Sequence, residues 1–284
     1  MIANPYLIEG PALISFSGGR TSGYMLHEIL AAHGGALPPD VLVGFTNTAL
    51  EREETLRFIY ECGLRWNIDI HWLERTPGGG YAEVGFNSAS RNGEPFAQLI
   101  LEKGYLPNAV TRFCTSELKV RPMRDFGRSL GWTHWKNIIG LRYDEGHRVF
   151  KALARNDANK EPFKAAMPLA RAHAVKRDIM EFWLGSTARF PSSDLPQGFD
   201  LGLRDYEGNC SLCFLKSRRK LTTIMHERPD AAAWWIEQEV RIGARFVTEY
   251  GYSELARTAA AQTVFPFIDD GEDHDAECGL VCAA

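Results

Sequence analysis

Ser15-Phe16-Ser17-Gly18-Gly19-Arg20-Thr21-Ser22-Gly23 follows an apolar run, Ala12-Leu13-Ile14, and precedes a helix-like pattern of Tyr24, Met25, Leu26, Ile29 and Leu30. That order reads as a buried strand, a tight glycine-containing turn and a helix N-terminus rich in hydroxyl groups. Adjacent glycines let a ligand approach the backbone closely, and the first N–H groups of a helix have no intrahelical partners. An anion, above all a phosphate, suits such a terminus. The same residues also make an ordinary strand-to-helix turn with Ser17 or Thr21 as N-cap.

Outward from this turn, strand and helix alternate. Residues 12–16 read as a strand and 21–33 as a helix closed by Gly34-Gly35. A second strand over 41–46, a helix over 51–62 and a third strand over 68–73 follow. The second strand is apolar on both faces, as in a parallel sheet. The pattern predicts an α/β fold, a doubly wound parallel sheet with right-handed crossovers. Residues 76–95, rich in Gly, Ser and Asn, read as a long loop or lid. Helices are expected over 96–103, over 117–130 with Ser116 as N-cap, and over 174–184, 217–226 and 231–250, with a strand over 135–141. The implied organisation is an α/β domain over 1–170, a smaller helical, cysteine-containing portion over 171–265 and a mobile acidic tail over 266–284.

The 284 residues are 45% hydrophobic and 24% charged, ordinary for a globular protein, with a net charge of −4 that argues against broad, non-specific nucleic-acid binding. No stretch approaches the roughly 20 apolar residues needed to span a bilayer. Residues 1–10 lack the basic and apolar regions of a signal peptide, so the expected compartment is the cytoplasm. There, the six cysteines at 62, 114, 210, 213, 278 and 282 point to metal binding or redox chemistry rather than structural disulfides.

Ser17-Gly18-Gly19-x-x-Ser22 after an apolar strand resembles the PP-loop of the ATP pyrophosphatases and of the 3′-phosphoadenylylsulfate (PAPS) reductase family. Thr21 stands where that family usually has an acidic residue. Thr46-Asn47-Thr48 with Glu51 and Glu54 is similar to the family's second-strand segment, and Arg112-Phe113-Cys114-Thr115-Ser116-Glu117-Leu118-Lys119 to its cysteine segment. Gly140-Leu141-Arg142 with Asp144, Glu145 and Arg148 resembles its later arginine motif, and Asn209-Cys210-x-x-Cys213 a knuckle of the PAPS-reductase-like subgroup. The resemblance implies the adenine-nucleotide alpha-hydrolase (PP-loop) fold. It also implies nucleotide contacts from Ser17, Gly18, Gly19, Arg20, Thr21, Ser22, Asn47, Thr48, Arg142 and Arg148. Glu51 or Glu54 would help place Mg²⁺, although two acids at the start of a helix equally suit its dipole.

The cysteines allow several mechanisms. Cys114, Cys210 and Cys213 suit a [4Fe–4S] cluster, with Cys278 or sulfide completing it, as in related tRNA-thiolating enzymes. Cys210, Cys213, Cys278 and Cys282 suit a four-thiolate zinc site. A redox disulfide and plain core thiols remain, and Cys62 reads as core. Glu277-Cys278-Gly279-Leu280 resembles the C-terminal motif of sulfonucleotide reductases, in which a cysteine attacks sulfate sulfur.

Three functions compete. One is ATP-dependent adenylylation of an acceptor followed by sulfur transfer, with Cys114 and Cys278 as catalytic candidates and a sulfur donor as partner. Another is a PAPS or adenylylsulfate reductase with Cys278 as nucleophile and a thioredoxin-like reductant. The third is a non-catalytic nucleotide-binding module. Lys216, Arg218, Arg219 and Lys220 form a basic run that suits a nucleic acid or a phosphorylated small acceptor, or else a solvated helix face.

Overall fold

Residues 4–185, 195–208 and 210–262 are described in a computed structural model of the chain. Six strands form one sheet: β1 (Ala12–Ser15), β2 (Val41–Asn47), β3 (Ile70–Arg75), β4 (Tyr81–Val84), β5 (Trp135–Ile138) and β6 (Phe163–Ala166). Their order across the sheet is β4-β3-β2-β1-β5-β6. Every pair is parallel except β3 with β4. The chain winds outward from β1 to β2 and β3, then crosses back to place β5 on β1's other side. The reversal makes a topological switch point between the carboxyl ends of β1 and β5, where open α/β sheets bind ligands.

Each central strand is apolar on both sides because both sides are covered. Ala12, Ile14 and Phe16 join Val43, Phe45, Met25, Ile29, Phe58 and Trp183 on one face. Leu13 meets Leu73, Met123, Phe126 and Trp135 on the other. Helices α1 (Arg20–Ala32), α2 (Glu53–Trp66) and α8 (Lys176–Leu184) supply the first layer, and α5 (Arg121–Ser129) the second. The architecture is therefore α/β with a mostly parallel sheet between helices, compatible with double winding.

A separate core is stitched from distant segments. Phe96, Leu99 and Ile100 of α3 (Glu94–Lys103) and Phe113 of α4 (Phe113–Thr115) pack with Cys210, Leu212, Cys213 and Phe214. Helices α9 (Arg218–Glu227), α10 (Ala233–Ile242) and α11 (Tyr252–Ala261) close it.

Several local expectations change. The turn 76–80 and the segment after it hold β4, an antiparallel edge strand, so 76–95 is not one loop. The helix expected from 117 starts at Phe113 and passes through a π-helical segment, Ser116–Val120, into α5. Ser116 is helical there and its hydroxyl bonds Phe113 O at 3.2 Å, so it is not a cap. The helix expected over 231–250 ends at Ile242, where Gly243 turns left-handed, and α11 is a separate helix. Helices α6 (Gly146–Ala158) and α7 (Pro168–Arg171), and strand β6, lie where no element was expected. Among the described residues no helix is long and apolar enough to cross a membrane. The tail from 263 onward, with Cys278 and Cys282, lies outside the described residues, as do 186–194 and Asn209.

Candidate functional site

The β1–α1 turn takes its shape from one glycine more than the other. Gly18 has φ +75° and lies under α2, where a Cβ would come within 2.6 Å of Thr55 and 2.7 Å of Ile59. A Cβ on Gly19 would meet only Ser17 Oγ, at 3.8 Å, so the backbone there is open. Gly19 is the N-cap of α1, with no side-chain cap and no acid in the first turn. Neither Ser17 nor Thr21 caps the helix. Ser17 Oγ donates to Ser22 Oγ at 3.1 Å, and Ser22 Oγ to Gly19 O at 2.9 Å. The helix start thus presents first-turn N–H groups that no side chain caps.

Across the switch point, β5 delivers Arg142. Its guanidinium is buried and donates to Thr21 Oγ1 at 3.2 Å and to Asp144 at 2.9 Å. Glu145 accepts from the Arg142 backbone N–H at 2.9 Å and pairs with Arg148. The turn and the arginine motif, 121 residues apart, are therefore one site. Thr21 accepts from Arg142 there, where a carboxylate would form an ion pair.

Arg20, expected at the nucleotide, is bonded to an acid far along the chain. It donates to both oxygens of Asp200, at 2.7 and 2.5 Å, and the Asp200 side chain is only 1% exposed. Trp183 Nε1 donates to Arg20 O at 2.9 Å. The guanidinium clamps residues around 200 against the turn, so its two-point bond goes to a carboxylate of the chain rather than to a phosphate.

The end of β2 is equally committed. Asn47 is fully buried; its amide donates to Glu74 at 2.6 Å and to Ser90 O at 2.8 Å, and accepts from Ala49 N–H. It ties β2 to β3 and to the loop after β4. Thr48 donates its hydroxyl to Glu51, 2.9 Å from each carboxylate oxygen, and its N–H to the same group. Glu54 pairs with Arg52 and Arg228. Both acids considered for Mg²⁺ are thus held by protein donors.

Cys114, Cys210 and Cys213, from two distant segments, line a single cavity of about 20 Å³ with Thr48, Phe96, Lys119 and Trp235. That space holds about one water-sized atom. Among the described residues no group of three or more His, Cys, Asp or Glu side chains is arranged to hold a metal ion. The thiols suit iron or zinc chemically, but the described residues alone form a site for neither, and Cys278 and Cys282, the other ligands considered, lie outside them. Cys62 is in the sheet core, where burial pushes its thiol up. The basic run is not a solvated face, since Lys216 and Lys220 are buried and Lys216 donates to Gly208 O at 2.6 Å. Glu74 and Trp235 escape sequence reasoning because nothing near them in the chain marks them.

No protein-family model matches the chain. It is 30% identical over 231 residues to the uncharacterized nin region protein ORF290 of Escherichia phage lambda, a match that covers 74% of this chain and 67% of that protein. The chain therefore belongs to the family of the phage lambda nin region protein ORF290.

Proposed function

We propose that the chain is a PP-loop-type enzyme that binds ATP over the β1–α1 turn, adenylylates an acceptor oxygen, and replaces AMP with sulfur carried on a cysteine. The observation that carries this reading is the 3.2 Å bond from Arg142 to Thr21, which joins an uncapped helix start to a buried cation at the switch point. Backbone N–H groups and a guanidinium converging on one spot favour a phosphate chain. The acceptor oxygen attacks the α-phosphorus and pyrophosphate leaves; sulfur then attacks the activated carbon and AMP leaves. Fixed donors around the phosphates supply positioning and charge stabilisation. The thiol cavity suits the second step because Thr48, at the end of β2, belongs to its lining. β2 is β1's neighbour in the sheet, so turn and thiols share one edge.

Equilibrium dialysis with labelled MgATP and with PAPS tests the reading. MgATP binding that Arg142→Ala weakens by about 10- to 100-fold supports it, the loss being that of one or two charge-assisted hydrogen bonds. Binding of PAPS but not ATP, with sulfite released, would make the chain a reductase instead. Nucleotide binding without pyrophosphate release across candidate acceptors would leave it a binding module.

A further inference from the structure

Thr48 Oγ1 stands between a thiol and a carboxylate. It lies 2.9 Å from both oxygens of Glu51, and Cys210 Sγ lies 3.4 Å from it on the other side. A carboxylate only accepts, so the hydroxyl proton points at Glu51. Cys210 is then the donor to Thr48, and a continuous S–H to O–H to carboxylate relay leads out of the cavity. Thr48 is buried and Glu51 half-buried, so the relay runs from the interior toward solvent.

An independent observation concerns the charge left behind. Trp235 lines the same cavity, is 1% exposed, and its Nε1–H has no hydrogen-bond partner among the described residues. The ring is fixed by Tyr252, stacked at 5.2 Å and 10°, and by Phe246 edge-on at 4.9 Å. A buried indole N–H ordinarily finds an acceptor, and leaving one without costs about 1–3 kcal/mol. The side-chain acceptors its cavity offers are the Thr48 and Thr115 hydroxyls and three sulfurs, and a sulfur becomes a strong acceptor only when it carries charge.

We propose that Cys210 is the sulfur nucleophile of this chain, with Thr48 and Glu51 taking its proton and the Trp235 N–H bonding the sulfur as it acquires charge. The assignment deepens the sulfur-transfer reading, on which it rests, by naming the cysteine that carries the sulfur. In the loading step the Cys210 S–H bond breaks, its proton passes to Thr48 Oγ1, and Thr48's own proton passes to Glu51. The electron pair left on Cys210 attacks the outer sulfur of a small-molecule or protein persulfide. The donor's S–S bond breaks, its outer sulfur stays on Cys210, and the donor leaves as a thiolate that takes up a proton. There is no net oxidation. A donor that bonds sulfur in the charged state alone assists the step more than one already engaged at rest. Glu51 acts through Thr48 and is a positioning residue. Lys119, Thr115, Cys114 and Cys213 are the other polar side chains lining the cavity.

Iodoacetamide, applied to the whole chain with each cysteine followed by peptide mass spectrometry, tests the assignment. Here the S–C bond forms, iodide leaves and the proton follows the same relay. Cys210 is expected to react ahead of Cys114 and Cys213, while Cys62, fully buried in the sheet core, stays unmodified as a reporter of the fold. Thr48→Val and Trp235→Phe should slow Cys210 about tenfold or more, at the low end of general-base effects. Thr48→Ser, which keeps the hydroxyl, should restore the rate. Equal rates at the three cysteines, or equal effects of Thr48→Val and Thr48→Ser, would overturn the proposal. MgATP dialysis on the same preparation separates the two readings: lost nucleotide binding with Cys210 still fastest removes the ATP reading alone. Intact nucleotide binding without that ranking removes the Cys210 assignment alone.

Discussion

Gly18 and Gly19 sit side by side and answer to different constraints. Gly18 is dictated by the fold: its φ of +75° and the side chains of Thr55 and Ile59 both exclude a Cβ. Gly19 has room for one, so its lack of a side chain matters to whatever approaches the helix start from outside. Gly18→Ala should therefore cost about 2–4 kcal/mol of stability, from left-handed backbone strain plus overpacking against α2. Gly19→Ala should leave the urea midpoint within experimental error and weaken MgATP binding instead. Urea unfolding and dialysis on the two variants read these opposite outcomes, and a swap of the two effects would count against the geometry of the turn.

At the scale of elements, the site depends on ties that hold neighbouring segments in register. Glu102 of α3 accepts from Arg75 of β3 at 2.6 Å and from Gly78 N–H at 2.9 Å, pinning the β3–β4 turn to the helix. The Arg75 hydrogen bond, followed by that from Gly78, holds the Glu102 carboxyl at about 2. Its folded value lies below the unfolded value near 4.3, so its stabilisation is complete above that value and fades as pH falls toward 2. Glu102→Gln should accordingly be less stable than the native chain at pH 6, and the gap should narrow steadily between pH 4.5 and 2. Thermal unfolding of both proteins across that range measures it. The same scale explains what the sequence disclosed. The strand–turn–helix alternation was legible because buried parallel strands are apolar on both faces, and Thr48, Cys114, Cys210 and Cys213, which the fold gathers around one cavity, were already singled out in the sequence. The tie from Arg20 to Asp200 was not legible because the two residues stand 180 positions apart. β4 and α6 were missed because edge elements bury little: Ala152 is the one buried side chain of α6, so its pattern lacks an apolar stripe.

At the scale of the whole molecule, the thiol cavity exists only because the second core gathers segments from both halves of the chain. Phe96, Leu99, Ile100, Phe113 and Leu118 precede residue 120, and their partners Leu212, Leu221, Trp235, Phe246 and Tyr252 follow residue 210. Ser211 N–H bonds Leu50 O at 3.1 Å, and Arg52 pairs with Glu207 at 3.1 Å with both side chains buried. These links fasten the cysteine turn to the end of β2. A chain cut after residue 170 would keep all six strands yet expose the α3 and α4 side chains. It would also strand Arg20, whose carboxylate partner lies beyond the cut, and loss of one partner from a buried ion pair costs about 3–5 kcal/mol. Such a fragment should bind anilinonaphthalene sulfonate strongly and lose its near-ultraviolet dichroism while keeping far-ultraviolet signal, the behaviour of a collapsed chain without fixed packing. The full chain should show coincident transitions by both signals. A fragment that instead unfolds in one sharp transition would mean that the sheet core suffices without the second, and that the cavity is an appendage rather than a part of one cooperative unit.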